Sequence, residues 1–173
     1  MTARVVAPWI AAMLIVVVAR SGHAQRRPAR DPRGPDSTTG AHVVGEKGLR
    51  SIIDRHLGRP YVWGSCGLKS YDCSGFVWRV MQENGLLVKR TTARKYYMTL
   101  PKVSEQECWT FGNVVFFDHL KHCGIVDSPE AFYHAAVTTG THRSRFDPNW
   151  RRKISGVRAM PGHRHTPAEA PDR

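Results

Sequence analysis

Apolar positions along the chain change period once, and the change divides it into a helical part and a strand part. Between Val44 and Leu57, the residues Leu49, Ile52, Ile53 and Leu57 recur at helical spacing with charges between them. This predicts an amphipathic helix that stops at Gly58. Arg59-Pro60 opens a turn, Tyr61–Gly64 reads as a short extended piece and Ser65–Asp72 as a loop. From Cys73 onward, Phe76, Val77, Val80 and Met81 share one helical face, and Asn84-Gly85 is a C-cap signal. Thr91–Tyr97 is expected to be a further short helix. Beyond Gly112 the pattern is that of buried strands: Asn113–Phe117, then a hairpin turn over Asp118–Lys121, then His122–Val126, Ala131–Ala136 and Ile154–Met160. Helices followed by an antiparallel meander define an α+β fold.

The two ends lie outside this pattern. Arg4 precedes a 14-residue apolar run, Val5–Val18, and Gly22 and Ala24 form a small–x–small cleavage site. A bilayer-spanning helix needs about 20 apolar residues, so residues 1–24 read as a secretory signal peptide rather than an anchor. No stable membrane insertion is expected after cleavage. Residues 25–42 are rich in Arg, Pro, Ser, Thr and Gly without apolar periodicity, and read as a disordered basic leader. The folded domain is assigned to residues 43–160 and a flexible tail to 161–173. An exported product, periplasmic or secreted, is the expectation.

The formal charge of the chain is +12, and loss of Arg4 and Arg20 with the signal peptide lowers it by two, to +10. Such a charge holds a protein near anionic envelope polymers. The basic residues are scattered and accompany no zinc-finger or RNA-binding motif, which excludes nucleic acid as the expected partner. A monomer is expected. There are four cysteines, Cys66, Cys73, Cys108 and Cys123. In an oxidising compartment they admit at most one disulfide if Cys73 stays free, and the sequence does not choose the pair.

Candidate chemistry centres on Asp72-Cys73-Ser74-Gly75, between a loop and an amphipathic helix. A thiol at a helix N-terminus meets the positive end of the macrodipole and unpaired backbone N–H groups, and both favour the thiolate. A thiolate nucleophile needs a base and a group that orients the base. His122 opens one strand and His134 lies twelve residues on, in the next. A hairpin can bring such residues side by side. His122 is then the base and His134 the orienting group. His119, in the turn, and His142 are the competing histidines. A metal site from His119, His122, Cys123 and His134 has no recognised zinc spacing, and adjacent strand residues face opposite sides. No metal and no cofactor are expected.

Tyr61-x-Trp63-Gly64, Asp72-Cys73-Ser74-Gly75-Phe76, Gly112–Phe117, His122-x-Gly124-Ile125 and Tyr133-His134-Ala135, in this order, resemble the NlpC-type cell-wall peptidases. The resemblance extends to Asp147–Trp150 and Gly156–Arg158. It implies a papain-like fold, with N-terminal helices packed on an antiparallel sheet. It also implies a cysteine peptidase acting on peptidoglycan stem peptides, commonly between D-glutamate and diaminopimelate. On matching positions, Cys73 is the nucleophile, His122 the base and His134 the third polar member. Tyr61 corresponds to a tyrosine near the oxyanion. Asp72 and Ser74 correspond to residues that recognise a stem-peptide amine, with helix capping as an equal reading of both. Three positions depart from the family pattern. Asn113 replaces an Asp and bears on a turn. Cys123 replaces a Val and reads as a small apolar filler facing away from His122. Cys66 is unusual, and reads as a disulfide partner of Cys108 or Cys123, or as an inhibitory partner of Cys73. An inactive peptidoglycan-binding module of the same fold, or an antibacterial amidase toxin, are the alternatives to a wall-remodelling peptidase.

Overall fold

The computed structural model describes residues 44–162. The signal peptide, the whole of the leader, Val43 and residues 163–173 of the tail lie outside the described residues. Helix α1, Glu46–Arg55, buries Leu49, Ile52 and Ile53 as its spacing requires. Helix α2, Cys73–Glu83, buries Phe76, Val77, Val80 and Met81, and Gly85 leaves it at φ 81°. Helix α3 spans Ala93–Thr99 and is capped by the Thr92 side chain, which accepts from the Lys95 N–H. No helix among the described residues is long and apolar enough to cross a membrane.

The sheet has five strands: β1 Val114–Phe117, β2 His122–Ser128, β3 Ala131–Ala136, β4 Gly140–Arg145 and β5 Ile154–Arg158. Their order is β4-β3-β2-β1-β5, and every pairing is antiparallel. Strand β5 does not extend the meander; it returns past the short helix α4, Pro148–Lys153, to pair with β1. Neither β4 nor α4 follows from apolar periodicity. Strand β4 is GTHRSR, an edge strand in which only Gly140 and Thr141 are buried. Polar side chains suit such an edge, because water satisfies one side of it.

Successive strand residues face opposite ways, so the sheet separates two apolar cores. One lies under the helices and contains Cys73, Phe76, Val80, Phe116, Cys123, Ile125 and Tyr133. The other lies beneath the opposite face and contains Val115, Phe117, Val126, Phe132, Phe146 and Val157, with Trp150 of α4 packed against it. This is the α+β arrangement expected, with α1, α2 and α3 on one face of an antiparallel sheet and the short α4 against the other.

Asn113 is fully buried, and its amide donates to the Glu107 carbonyl at 2.6 Å. It pins the loop before β1, a turn function in keeping with its position. All four cysteines are free thiols, so none of the three bridges envisaged for Cys66, to Cys108, Cys123 or Cys73, is present.

Candidate active site

Cys73 is the first residue of α2 and is 7% exposed. Asp72 is the N-cap: its carboxylate accepts from the Gly75 N–H at 2.6 Å and from the Ser74 hydroxyl at 3.1 Å. Arg90 closes the arrangement, donating to the two Asp72 oxygens at 2.8 and 2.7 Å and to Ser74 Oγ at 3.0 Å. Asp72 thus caps the first turn of α2, with Ser74 and Arg90 bonded to its carboxylate. A Cβ on Gly75 would meet the Ser65 carbonyl at 2.1 Å. The absent side chain is what lets the 61–66 segment lie against α2 and hold Tyr61 beside the thiol.

The Cys73 thiol is pulled down to about 5, first by a hydrogen bond from Cys123, against the opposing effect of burial, and then by His122. The physical reason is a contest between two thiols. Cys123 is wholly buried in the helix-side core, and its contact with Cys73 together with burial keeps it protonated. Cys73 stands at the helix N-terminus facing an imidazole, so the charge settles there and Cys123 donates to it. Cys123 does face away from His122, as expected, but it is more than apolar filler. The Cys73 sulfur also lies 3.9 Å from the Lys121 carbonyl.

His122 opens β2, and its Nε2 lies 2.9 Å from Nδ1 of His134 on β3. The two rings stand nearly perpendicular, at 86°, with centroids 5.1 Å apart. Gly124 sits opposite His134 in the register, and a Cβ there would meet the Tyr133 carbonyl at 2.5 Å and His134 Cβ at 3.2 Å. A bare backbone at this point lets the imidazoles meet across the strands. His134 is 1% exposed, and burial, then the charges of His122 and His142, push it down to about 3. It is neutral at physiological pH. Trp150 supports both rings from α4, with centroids 5.6 Å from His122 and 5.0 Å from His134.

Two clefts flank the thiol. One, of about 550 Å³, is bounded by Tyr61, Cys73, His119, His122, Val137 and Trp150. The other, of about 500 Å³, is bounded by Tyr61, Trp63, Cys73, Arg90, Arg94 and Lys121. Tyr61 therefore overlooks both, and burial and the neighbouring Cys73 charge hold its phenol protonated, its pKa raised. Trp63 is 85% exposed on the second cleft. The residues 118–120 all have positive φ, between 50° and 69°. His119 thus rides on a tight left-handed turn at the rim, outside the histidine pair.

Of the six sequence candidates, Tyr61 and Cys73 line both clefts, His122 the first, and Asp72 and Ser74 the second, while His134 lines neither and stands buried behind His122. Sequence reading missed the roles of Cys123, Arg90 and Trp150. Trp150 carried a signal through its place in the closing segment and Cys123 through its departure from the family's Val, whereas Arg90 carried none.

A thiol-bearing helix packed on an antiparallel sheet that carries its imidazole partners is the papain-like arrangement. The chain belongs to the NlpC/P60 family, whose model matches residues 58–159. It is 42% identical over 74 residues to "Probable endopeptidase p60" of Listeria seeligeri, a match covering 41% of this chain and 14% of that protein. It is 30% identical over 106 residues to "Probable endopeptidase NlpC" of Escherichia coli, covering 58% of this chain and 68% of the relative. The chain thus spans about a seventh of the Listeria relative's length. Among solved structures, an NLP/P60-family protein of Staphylococcus aureus superposes with a TM-score of 0.58 at 25% identity, over 70% of this chain and 44% of that one. The NlpC/P60 domain of the peptidoglycan hydrolase SagA gives 0.56 at 21% identity, over 68% of this chain and 100% of that domain.

Proposed function

We propose that this chain is an exported cysteine peptidase that hydrolyses an amide bond in peptidoglycan stem peptides, at the D-glutamyl–diaminopimelate linkage. The observation that carries the reading is Cys73, a thiol drawn down to about 5 in a cleft, facing an imidazole that a second imidazole holds. The relatives' names, endopeptidases p60 and NlpC, support the reaction class, and the likeness to the domain of SagA, a peptidoglycan hydrolase, supports the substrate class.

In this mechanism the stem peptide lies across both clefts with its scissile carbonyl over Cys73. The thiolate attacks the carbonyl carbon, and the oxyanion is met by the Tyr61 hydroxyl and the backbone N–H at the start of α2. His122, as imidazolium, hands its proton to the leaving amine, and the C–N bond breaks to leave a thioester on Cys73. Water enters, His122 takes its proton, and hydroxide attack releases the acid and restores the thiolate. His134 holds the His122 ring throughout. Asp72 and Ser74, tied to Arg90, line the second cleft and contribute to stem-peptide recognition through its shape. The positive charge keeps the enzyme near anionic envelope polymers. It acts as a monomer, without metal or cofactor, and the signal peptide delivers it to the envelope.

Digestion of purified peptidoglycan, followed by mass spectrometry, tests this. Wild type is expected to release fragments ending in D-glutamate, and Cys73→Ala none. Intact stem peptides after incubation with wild type under reducing conditions would overturn the reading.

A further inference from the structure

The imidazole pair does not end at His134. Nε2 of His134 lies 2.9 Å from the Ser144 hydroxyl, and that hydroxyl lies 3.0 Å from Nε2 of His142. Nδ1 of His142 lies 3.0 Å from the Gly140 carbonyl and 3.1 Å from the Thr139 hydroxyl. His122, His134 and the Ser144–His142 pair stand on β2, β3 and β4, three neighbouring strands. His142 is paired directly with His134 in the register, their ring centroids 4.6 Å apart.

We infer that Ser144 and His142 are positioning residues that set the direction of every proton in this chain, and through it the tautomer of His122. The inference rests on the peptidase reading only for its effect on turnover. The argument starts at the far end, where there is no choice. A backbone carbonyl accepts and cannot donate, so Nδ1 of His142 carries a hydrogen, shared with Thr139 Oγ1. In neutral His142 Nε2 is then the acceptor, and Ser144 donates to it. The Ser144 hydroxyl has one hydrogen, which is now used, so it accepts from Nε2–H of His134. His134 is buried and carries a single proton, so its Nδ1 is a lone pair and accepts from Nε2–H of His122. The remaining nitrogen of His122, Nδ1, is thereby turned to Cys73 as the atom that receives and returns the catalytic proton. Without Ser144, both tautomers of His134 become available, and in one of them an N–H faces His122 and opposes the imidazolium. A serine whose hydroxyl both donates and accepts is the link.

The test uses the full chain. Long-range 1H–15N NMR of the imidazoles reads the tautomers directly, and kinetics on purified peptidoglycan read their consequence. Wild-type His134 is expected as the Nε2–H tautomer. Ser144→Ala is expected to mix the two tautomers and to lower kcat about five- to tenfold with KM unchanged, the effect of one lost hydrogen bond in a transition state. Ser144→Thr, which keeps the hydroxyl, is expected to restore both. His142→Ala, which releases the Ser144 hydroxyl to donate to His134, is expected to shift the tautomer in the same sense. An unchanged melting temperature in Ser144→Ala separates positioning from folding. A His134 tautomer that is Nδ1–H in wild type, or that does not respond to Ser144→Ala, would overturn the inference. Because NMR needs no substrate, an inactive wild type would sink the peptidase reading while leaving this one decided by the spectra.

Discussion

Replacing Cys123 by Val removes the hydrogen bond that contributes most to the acidity of Cys73. Val suits this position: it is close to Cys in size, favours strands, and Cys123 lies wholly buried in β2. The core is therefore expected to survive, and the change isolates one donor. A hydrogen bond to a charged group contributes about 1.5–3 kcal/mol, and one pKa unit corresponds to 1.36 kcal/mol. Loss of the donor therefore raises the Cys73 pKa by about one to two units. Helix α2 and His122 still favour the thiolate, so the thiol stays more acidic than a free cysteine. The sign follows directly. A higher thiol pKa means less thiolate at a given acidic pH, so the acid limb of kcat/KM moves upward. The variant's thiol then titrates at about 6 to 7, so the two proteins converge only above about pH 8.

The assay is alkylation of Cys73 by iodoacetamide across pH 4 to 8. It is read by mass spectrometry on the Cys73 peptide, so that Cys66 and Cys108 do not contribute. Cys123→Ser, which keeps a donor, is expected to track wild type. A Cys123→Val profile that superimposes on wild type would refute the assignment of Cys123 as the donor.

Two other perturbations have defined outcomes. Arg90→Ala leaves the Asp72 carboxylate, 7% exposed, without its ionic partner; stripping one member from such a pair costs about 3 kcal/mol. It should appear as a lower urea midpoint with the m-value unchanged. His134 sets a pH dependence of stability. Its pKa is about 3 in the folded chain and about 6.5 when unfolded. Between those values the unfolded state binds more protons, so this contribution is fully present above pH 6.5 and is lost as pH falls toward 3. His134→Asn removes the titration, and its stability, followed by circular dichroism, should fall less steeply across that window.

Much of the site is local in origin, and so was legible along the chain. The helical face of Phe76, Val77, Val80 and Met81 starts at Cys73, which places the thiol at a helix N-terminus without reference to any other element. The apolar runs on either side of Asp118–Lys121 define a hairpin, and the twelve-residue spacing of His122 and His134 follows from strand and turn lengths. Local periodicity records which side of its own element a residue buries, and these features need nothing more. Strand β4 escaped because an edge strand with polar side chains has no apolar alternation to read. With it went Ser144, whose role exists only because β4 lies beside β3. Cys123 gave the right face but not the neighbour on it, since the partner comes from a helix about fifty residues earlier in the chain. Arg90 likewise reaches Asp72 from across a loop. The sequence by itself determined the three longer helices, four of the five strands, the place of Cys73 at a helix N-terminus and the neighbouring strands of His122 and His134. The packing of helices on the sheet decided which thiol carries the charge, which side chains hold the cap, and which hydroxyl directs the histidine chain. Those are contacts between distant segments, and only the closed tertiary structure brings them within hydrogen-bonding range.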